Sequence, residues 1–257
     1  MAQRHFWDQT EAASSRIVVV DEFSADAQQK GREAAVWHAW EHIPRPYFPD
    51  HAPVGTDHYA IEREAYRGPQ ARTPKHIPDV IVVRVRHAPP VAQPAPGQRP
   101  QRPQERDVLW IECKAPSDMA PHGWHAVLGE ATERLDSAHG NREVFLILAI
   151  GMKWMCFLWN PAAPLPANQK LRMRMANNAG FWDDIDNRIR PIPAGTLPGQ
   201  RHIVNNVIET NLAYTLNYWD VNPTTNLQAH LADLTLLENL FAIIQNHQYI
   251  GWNPDHF

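Results

Sequence analysis

Short apolar runs bounded by proline, glycine and polar residues recur along the first 160 positions, and their periods separate strands from helices. "HYAIEREAYR" (58–67) reads as a strand with mixed faces. "PDVIVVRV" (78–85) reads as a strand whose arginines begin where burial ends, and two strands in succession predict a hairpin. "VLWIECK" (108–114) resumes the sheet. In "HGWHAVLGEATERLDSAHG" (122–140), Trp124, Val127, Leu128, Ala131 and Leu135 recur at helical spacing, so an amphipathic helix is predicted, stopped by Gly140. "EVFLILAI" and "KWMCFLWN" then give two buried strands joined at Gly151. Nearer the N-terminus, "RIVVVDEF" (16–23) is a short strand or docking segment, and "SADAQQKGREAAVWHAWEHI" (24–43) a helix N-capped by Ser24 and ended by Pro44 and Pro46. On that helix Glu33 shares a stripe with Trp37, Trp40 and Ile43. The predicted order is helix, strand, strand, strand, helix, strand, strand.

Composition narrows the class. With 257 residues, 44% of them apolar, the chain can build a real core. A formal charge of −4 lacks the global basic excess that advertises nucleic-acid binding, although a local basic groove is compatible with it. Two cysteines without a CxxC pair imply reduced thiols and an intracellular setting, cytoplasm or nucleus. The N-terminus has no apolar run of signal-peptide length, and the most hydrophobic run, "VFLILAIGMKWMCFLW", is too short and too interrupted to span a bilayer. No membrane partner is expected. Residues 88–106 hold six prolines and few large apolar groups, so an extended or disordered loop inserted between strands is expected there; Arg99, Arg102 and Arg106 could make it a phosphate-contacting arm.

Chemistry enters through strand parity. Side chains two apart on a strand share a face, so Glu112 and Lys114 project together with Trp110, while Leu109, Ile111 and Cys113 point to the opposite layer. If the neighbouring strand opens with Asp79, three polar heads meet at one end of an apolar sheet. Unpaired buried charge costs several kcal/mol per ion, so such a cluster calls for a compensating partner. Two carboxylates and a backbone carbonyl form a hard oxygen set suited to Mg²⁺ or Mn²⁺, beside which a lysine can orient or deprotonate water or stabilise developing phosphate charge. The alternative is structural: Asp79 caps a turn, and Glu112 and Lys114 pair on a solvated face.

Pro78-Asp79 followed by Glu112-Cys113-Lys114, an alanine-proline and an amphipathic helix resembles the core motif of the PD-(D/E)XK, or restriction-endonuclease-like, nuclease superfamily, over roughly residues 24–160. The resemblance implies an α/β fold with a central mixed sheet flanked by helices, and metal-dependent hydrolysis of phosphodiesters, in DNA more than RNA. It also implies roles: Asp79, Glu112 and the Cys113 carbonyl as metal ligands, and Lys114 as the group positioning the attacking water. A further acid comes from the first helix, for which Glu33 is the first candidate and Glu41 the second. Where many members carry glutamine and tyrosine on the helix after E-x-K, this chain offers Glu130 and Arg134 as substrate contacts.

The remainder carries less chemistry. His122 and His125 lack partners for a zinc set, so a surface or capping role fits them, and Trp124 is expected to pack rather than stack on a base. No P-loop, GxGxxG or GxSxG occurs. Residues 161–257 read as a mainly helical extension of the 1–160 core. Its stretches "VIETNLAYTLNYWDV" and "TNLQAHLADLTLLENLFAIIQNH" look helical, and the latter's leucine-rich face packs on the sheet or on a second copy of the chain as a homodimer. The pairs Arg172/Arg174 and Arg188/Arg190 read as exposed solubilising charges, with the lining of a groove as the alternative. Two competing functions remain: a catalytically silent relative that binds nucleic acid or protein, and an unrelated α/β scaffold with a chance motif.

Overall fold

The computed structural model describes residues 4–51, 57–64, 77–86, 97 and 103–247. Its centre is a mixed sheet. Strands β1 (His58–Arg63), β2 (Val80–Arg86) and β3 (Gln104–Lys114) run antiparallel in succession. Helix α3 (Pro121–His139) then carries the chain over to β4 (Val144–Ile150), parallel to β3, and β5 (Lys153–Trp159) returns antiparallel through a turn at Gly151, φ +54°. The predicted β1–β2 hairpin and the β3–helix–β4–β5 order are present, which makes the fold α/β.

Strand parity divides the core into two layers. Val80, Val82, Leu109, Ile111 and Cys113 face helices α1 (Ala12–Ala25), α2 (Glu33–His42) and α4 (Leu231–Asn246). Ile81, Val83 and Trp110 face α3. That helix presents Trp124, Val127, Leu128, Ala131 and Leu135, all fully buried, as its period predicts; burying each large member stabilises by roughly 1.5–3 kcal/mol. Trp124 is therefore core. One irregularity breaks the parity of β3: Val82 pairs with Leu109 but Val83 with Asp107, so Val108 is an extra, bulged residue. The bulge turns Asp107 toward the α3 layer, where it accepts hydrogen bonds from Trp110 Nε1 and His139 Nε2, both at 3.0 Å.

Several expectations are corrected. "RIVVVDEF" lies inside α1, not in a strand, because Ala13, Ser14, Ile17 and Val20 form a helical buried stripe. Ser24 does not cap the next helix: its hydroxyl donates to Val20 O within the last turn of α1. Asp26 instead closes a turn by accepting from the Gln28 N–H, and α2 begins only at Glu33. The 88–106 loop lies outside the described residues apart from Gly97 and its last four positions. Those four include the start of β3, so Arg106, 5% exposed in that strand, is no mobile arm.

The region after 160 is not mainly helical. Short strands β6 (Arg172–Arg174), β7 (Phe181–Trp182), β9 (Ile203–Val204) and β10 (Val207–Ile208) make a second small sheet, with β8 (Ile189–Arg190) and β11 (Tyr214–Thr215) added to β5. "VIETNLAYTLNYWDV" thus holds two strand pieces and a 3₁₀ turn. Helix α4 does form, and its Leu234, Leu237, Leu240, Phe241 and Ile244 pack into the first core layer. The leucine-rich face is consumed within the chain, which removes it as a homodimer surface. The basic pairs are not merely solubilising: Arg174 forks onto Glu209, and Arg188 holds Asp136 and Asp186. Among the described residues no helix is long and apolar enough to cross a membrane.

Candidate active site

Three elements converge at the C-terminal end of β3. Pro78 is buried and Asp79 stands immediately before β2, where its Oδ2 accepts the Cys113 backbone N–H at 2.6 Å. Glu112 and Lys114 both turn toward α3, while the Cys113 thiol is buried in the opposite layer, as parity requires. Burial and the neighbouring carboxylates push that thiol well up, so it is inert as a nucleophile. The loop after β3 is tied down by the Ser117 N–H donating to Lys30 O at 2.9 Å, and this brings the start of α2, with Glu33, to the same end of the sheet.

The charged groups pair crosswise between β3 and α3. Arg134 Nη1 donates to Glu112 Oε2, and Glu112 is 1% exposed. Lys114 Nζ lies 2.8 Å from Glu130 Oε2 and 3.9 Å from Glu33 Oε2, and Arg134 Nη2 is 3.9 Å from Glu130. Four carboxylates (Glu33, Asp79, Glu112, Glu130) thus surround two cations (Lys114, Arg134). The deficit of positive charge is visible in the acids. Burial raises the Glu112 carboxyl well above its ordinary range, and the Asp79 charge adds to this against the pull of Arg134. Asp79 is raised by burial despite the Cys113 N–H, and Glu33 by burial despite Lys114. For Lys114, burial pushes down but is outweighed by the Glu130 hydrogen bond and the surrounding acids, so its net shift is upward.

The four positions read as one site from the sequence, Glu33, Asp79, Glu112 and Lys114, therefore meet, together with Glu130 and Arg134. Glu33 stands at the rim of its tryptophan stripe rather than within it, with 38% side-chain exposure. Glu41, the second candidate on that helix, instead binds Arg45 at 2.9 Å and Arg63 at 3.5 Å. His125 takes a surface rather than a capping role: it hydrogen-bonds Asp184 at 2.8 Å and stacks on Trp182. Sequence reasoning assigned Glu130 and Arg134 to substrate but missed that each is the counter-charge of one E-x-K residue. The signal was the i, i+4 spacing of opposite charges on the edge of α3 that faces the motif.

The donor chemistry suits a hard divalent cation: carboxylates flank neighbouring strands, and Glu112 Oε1 is buried without a hydrogen-bond partner. In the present arrangement no group of three or more His, Cys, Asp or Glu among the described residues is placed to hold one. Arg134 takes Glu112, and Lys114 stands between Glu33 and Glu130. No protein-family model, curated protein or solved structure matches the chain.

Proposed function

We propose that the protein is a Mg²⁺- or Mn²⁺-dependent phosphodiesterase of PD-(D/E)XK type, acting on nucleic acid, DNA in the first instance. One observation carries the reading: six residues from four separate stretches of the chain form a largely buried cluster of four carboxylates and two cations, a deficit of two charges that a divalent cation balances. Glu112 and Asp79, with the Cys113 carbonyl, are the residues that would hold it, Glu33 adding a further oxygen. Bound there, the cation lowers the pKa of water and neutralises phosphate charge.

The chain's own groups divide the remaining work. The upward shift of Lys114 keeps it an ammonium, so it serves as a donor to water or phosphate oxygen and not as a base. Glu33, partly exposed at the rim of the cluster, would bind the cation through one oxygen and accept the water proton on the other. In the hydrolysis the water oxygen bonds phosphorus, the ester P–O bond breaks, and the departing alkoxide takes a proton from solvent.

A second reading, a catalytically silent nuclease-fold protein that binds nucleic acid or protein, is favoured by the pairing of both site cations within the chain, Lys114 with Glu130 of α3 and Glu33 of α2, and Arg134 with Glu112 of β3. The test is a panel of single-stranded, duplex and branched DNA and of RNA, with Mg²⁺, Mn²⁺ or EDTA, comparing wild type with Lys114→Ala. Metal-dependent cleavage lost in the variant supports the enzyme. Nucleic-acid binding without cleavage in either protein supports the silent module, and neither binding nor cleavage sinks the enzyme and the nucleic-acid-binding module together.

A further inference from the structure

We propose that Arg134 is a tethered counter-cation which competes with the divalent metal for Glu112, so that loading the metal and releasing Arg134 from the sheet are a single event. The inference rests on the metal-dependent reading above and assigns that site its internal competitor.

The geometry behind it is asymmetric. Arg134 donates to Oε2 of a carboxylate that is 1% exposed, yet Oε1 of the same group is buried with no partner. An arginine fork can satisfy both oxygens of a carboxylate; here it satisfies one. The other arm of the guanidinium is 3.9 Å from Glu130, an ion pair beyond hydrogen-bond reach, so Arg134 is hydrogen-bonded through the Glu112 arm and only loosely attracted at the other. Its departure does not require α3 to move: Arg134 stands at the edge of the buried face, and Trp124, Val127, Leu128, Ala131 and Leu135 anchor the helix without it. Exchanging one guanidinium for a divalent ion at Glu112 also supplies added positive charge to a site where four carboxylates surround two cations. Guanidinium groups bind phosphate well. By linkage, an anionic phosphate that draws Arg134 off Glu112 strengthens metal binding by the same factor that metal strengthens phosphate binding.

The experiment is Mg²⁺ titration by calorimetry of the full chain, wild type and Arg134→Gln, with thermal melts of both in EDTA and in Mg²⁺. The Arg134 Nε–Hε resonance is followed in ¹⁵N-arginine-labelled wild type, assigned with Arg134→Lys. We expect Arg134→Gln to bind Mg²⁺ about tenfold more tightly, to melt below wild type in EDTA and to recover in Mg²⁺. In wild type the Arg134 resonance should shift as Mg²⁺ saturates. If Arg134→Gln does not fold without metal, the wild-type resonance carries the test alone. Mg²⁺ bound with an unmoved resonance and no gain in the variant overturns this inference and leaves the metal reading standing. No Mg²⁺ bound by either protein overturns both; Mg²⁺ bound only by Arg134→Gln supports the competition most directly.

Discussion

The backbone N–H of Cys113 donates to Asp79 Oδ2 at 2.6 Å, joining the two halves of the motif across 34 positions of sequence. One hydrogen bond thereby fixes where the acid before β2 stands relative to the E-x-K residues of β3. Asp79 is a structural acceptor and a candidate ligand at once, and the two roles can be separated.

Asp79→Asn keeps an acceptor for Cys113 and removes a carboxylate whose pKa is raised by burial, so in EDTA it should match or exceed wild-type stability while losing cleavage. Asp79→Ala strands the N–H and should cost about 1–3 kcal/mol relative to the Asn variant. Thermal melts and cleavage assays on the pair check this; equal stability of the two variants would mean that the hydrogen bond is not holding the strands.

The Lys114–Glu130 pair is only half-buried on the acidic side, so Glu130→Gln should change stability by less than about 1 kcal/mol. Its effect belongs on Lys114. Without the Glu130 hydrogen bond the ammonium pKa falls, so the alkaline limb of the cleavage profile should move to lower pH. A rate–pH comparison with wild type reads the shift directly.

Stability of the metal-free protein should have an unusual pH slope. Glu112, Asp79 and Glu33 hold protons in the folded state at pH values where the unfolded chain, with carboxyls near 4.3, has lost them. Their contribution is therefore full at low pH and is lost as pH rises through the folded pKa values. Melts in EDTA above pH 5 should fall more steeply for wild type than for Glu112→Gln, and Mg²⁺ should flatten the wild-type curve. Parallel curves in EDTA would show that Glu112 does not contribute.

His202 acts in the opposite direction. It is fully buried between Cys156 O at 2.8 Å and the Tyr214 hydroxyl at 3.0 Å, and burial lowers its pKa to about 4. The folded state thus refuses a proton that the unfolded chain takes up near 6.5, so stability is lost as pH falls from there toward 4, by about 3 kcal/mol. His202→Gln should remove that acid limb, as measured by urea unfolding at pH 7 and pH 4.5.

Gly123 should tolerate no side chain, since a Cβ there would meet the Asp118 carbonyl oxygen at 2.0 Å. Gly123→Ala must push the first turn of α3 away from the loop after E-x-K. We expect a lower melting temperature together with a weaker response to Mg²⁺, whereas Gly129→Ala, in the helix interior with open space for its Cβ, should raise the melting temperature slightly and leave the Mg²⁺ response unchanged.

The strands that carry the site were legible because their apolar positions obey a strict period of two, which fixed the faces of Trp110, Glu112, Cys113 and Lys114. Where local preference and tertiary packing disagreed, the reading failed. The β-branched run Ile17–Val20 favours a strand on its own, but only Ile17 and Val20 of it are buried, at helical spacing against α2. The reverse error fell on 207–221. There the informative residues were Asn205 and Asn206, both at positive φ, which form the tight turn between β9 and β10. Arg134 was visible as a charge but not as the partner of Glu112, because nothing local says which long side chain reaches across to a strand 22 positions away.

The bulge at Val108 sets a phase boundary within β3. From Leu109 to Ile111 the strand is gripped on both sides, by β2 and by β4, and β4 holds it on to Lys114, whereas from Gln104 to Asp107 only β2 holds it. A slip of one position entering from the proline-rich side would meet a residue already out of step, and could be absorbed there before reaching the doubly held half. The site is in this sense insulated from the segment that precedes it, whose length can change without turning Glu112 and Lys114 to the wrong face of the sheet.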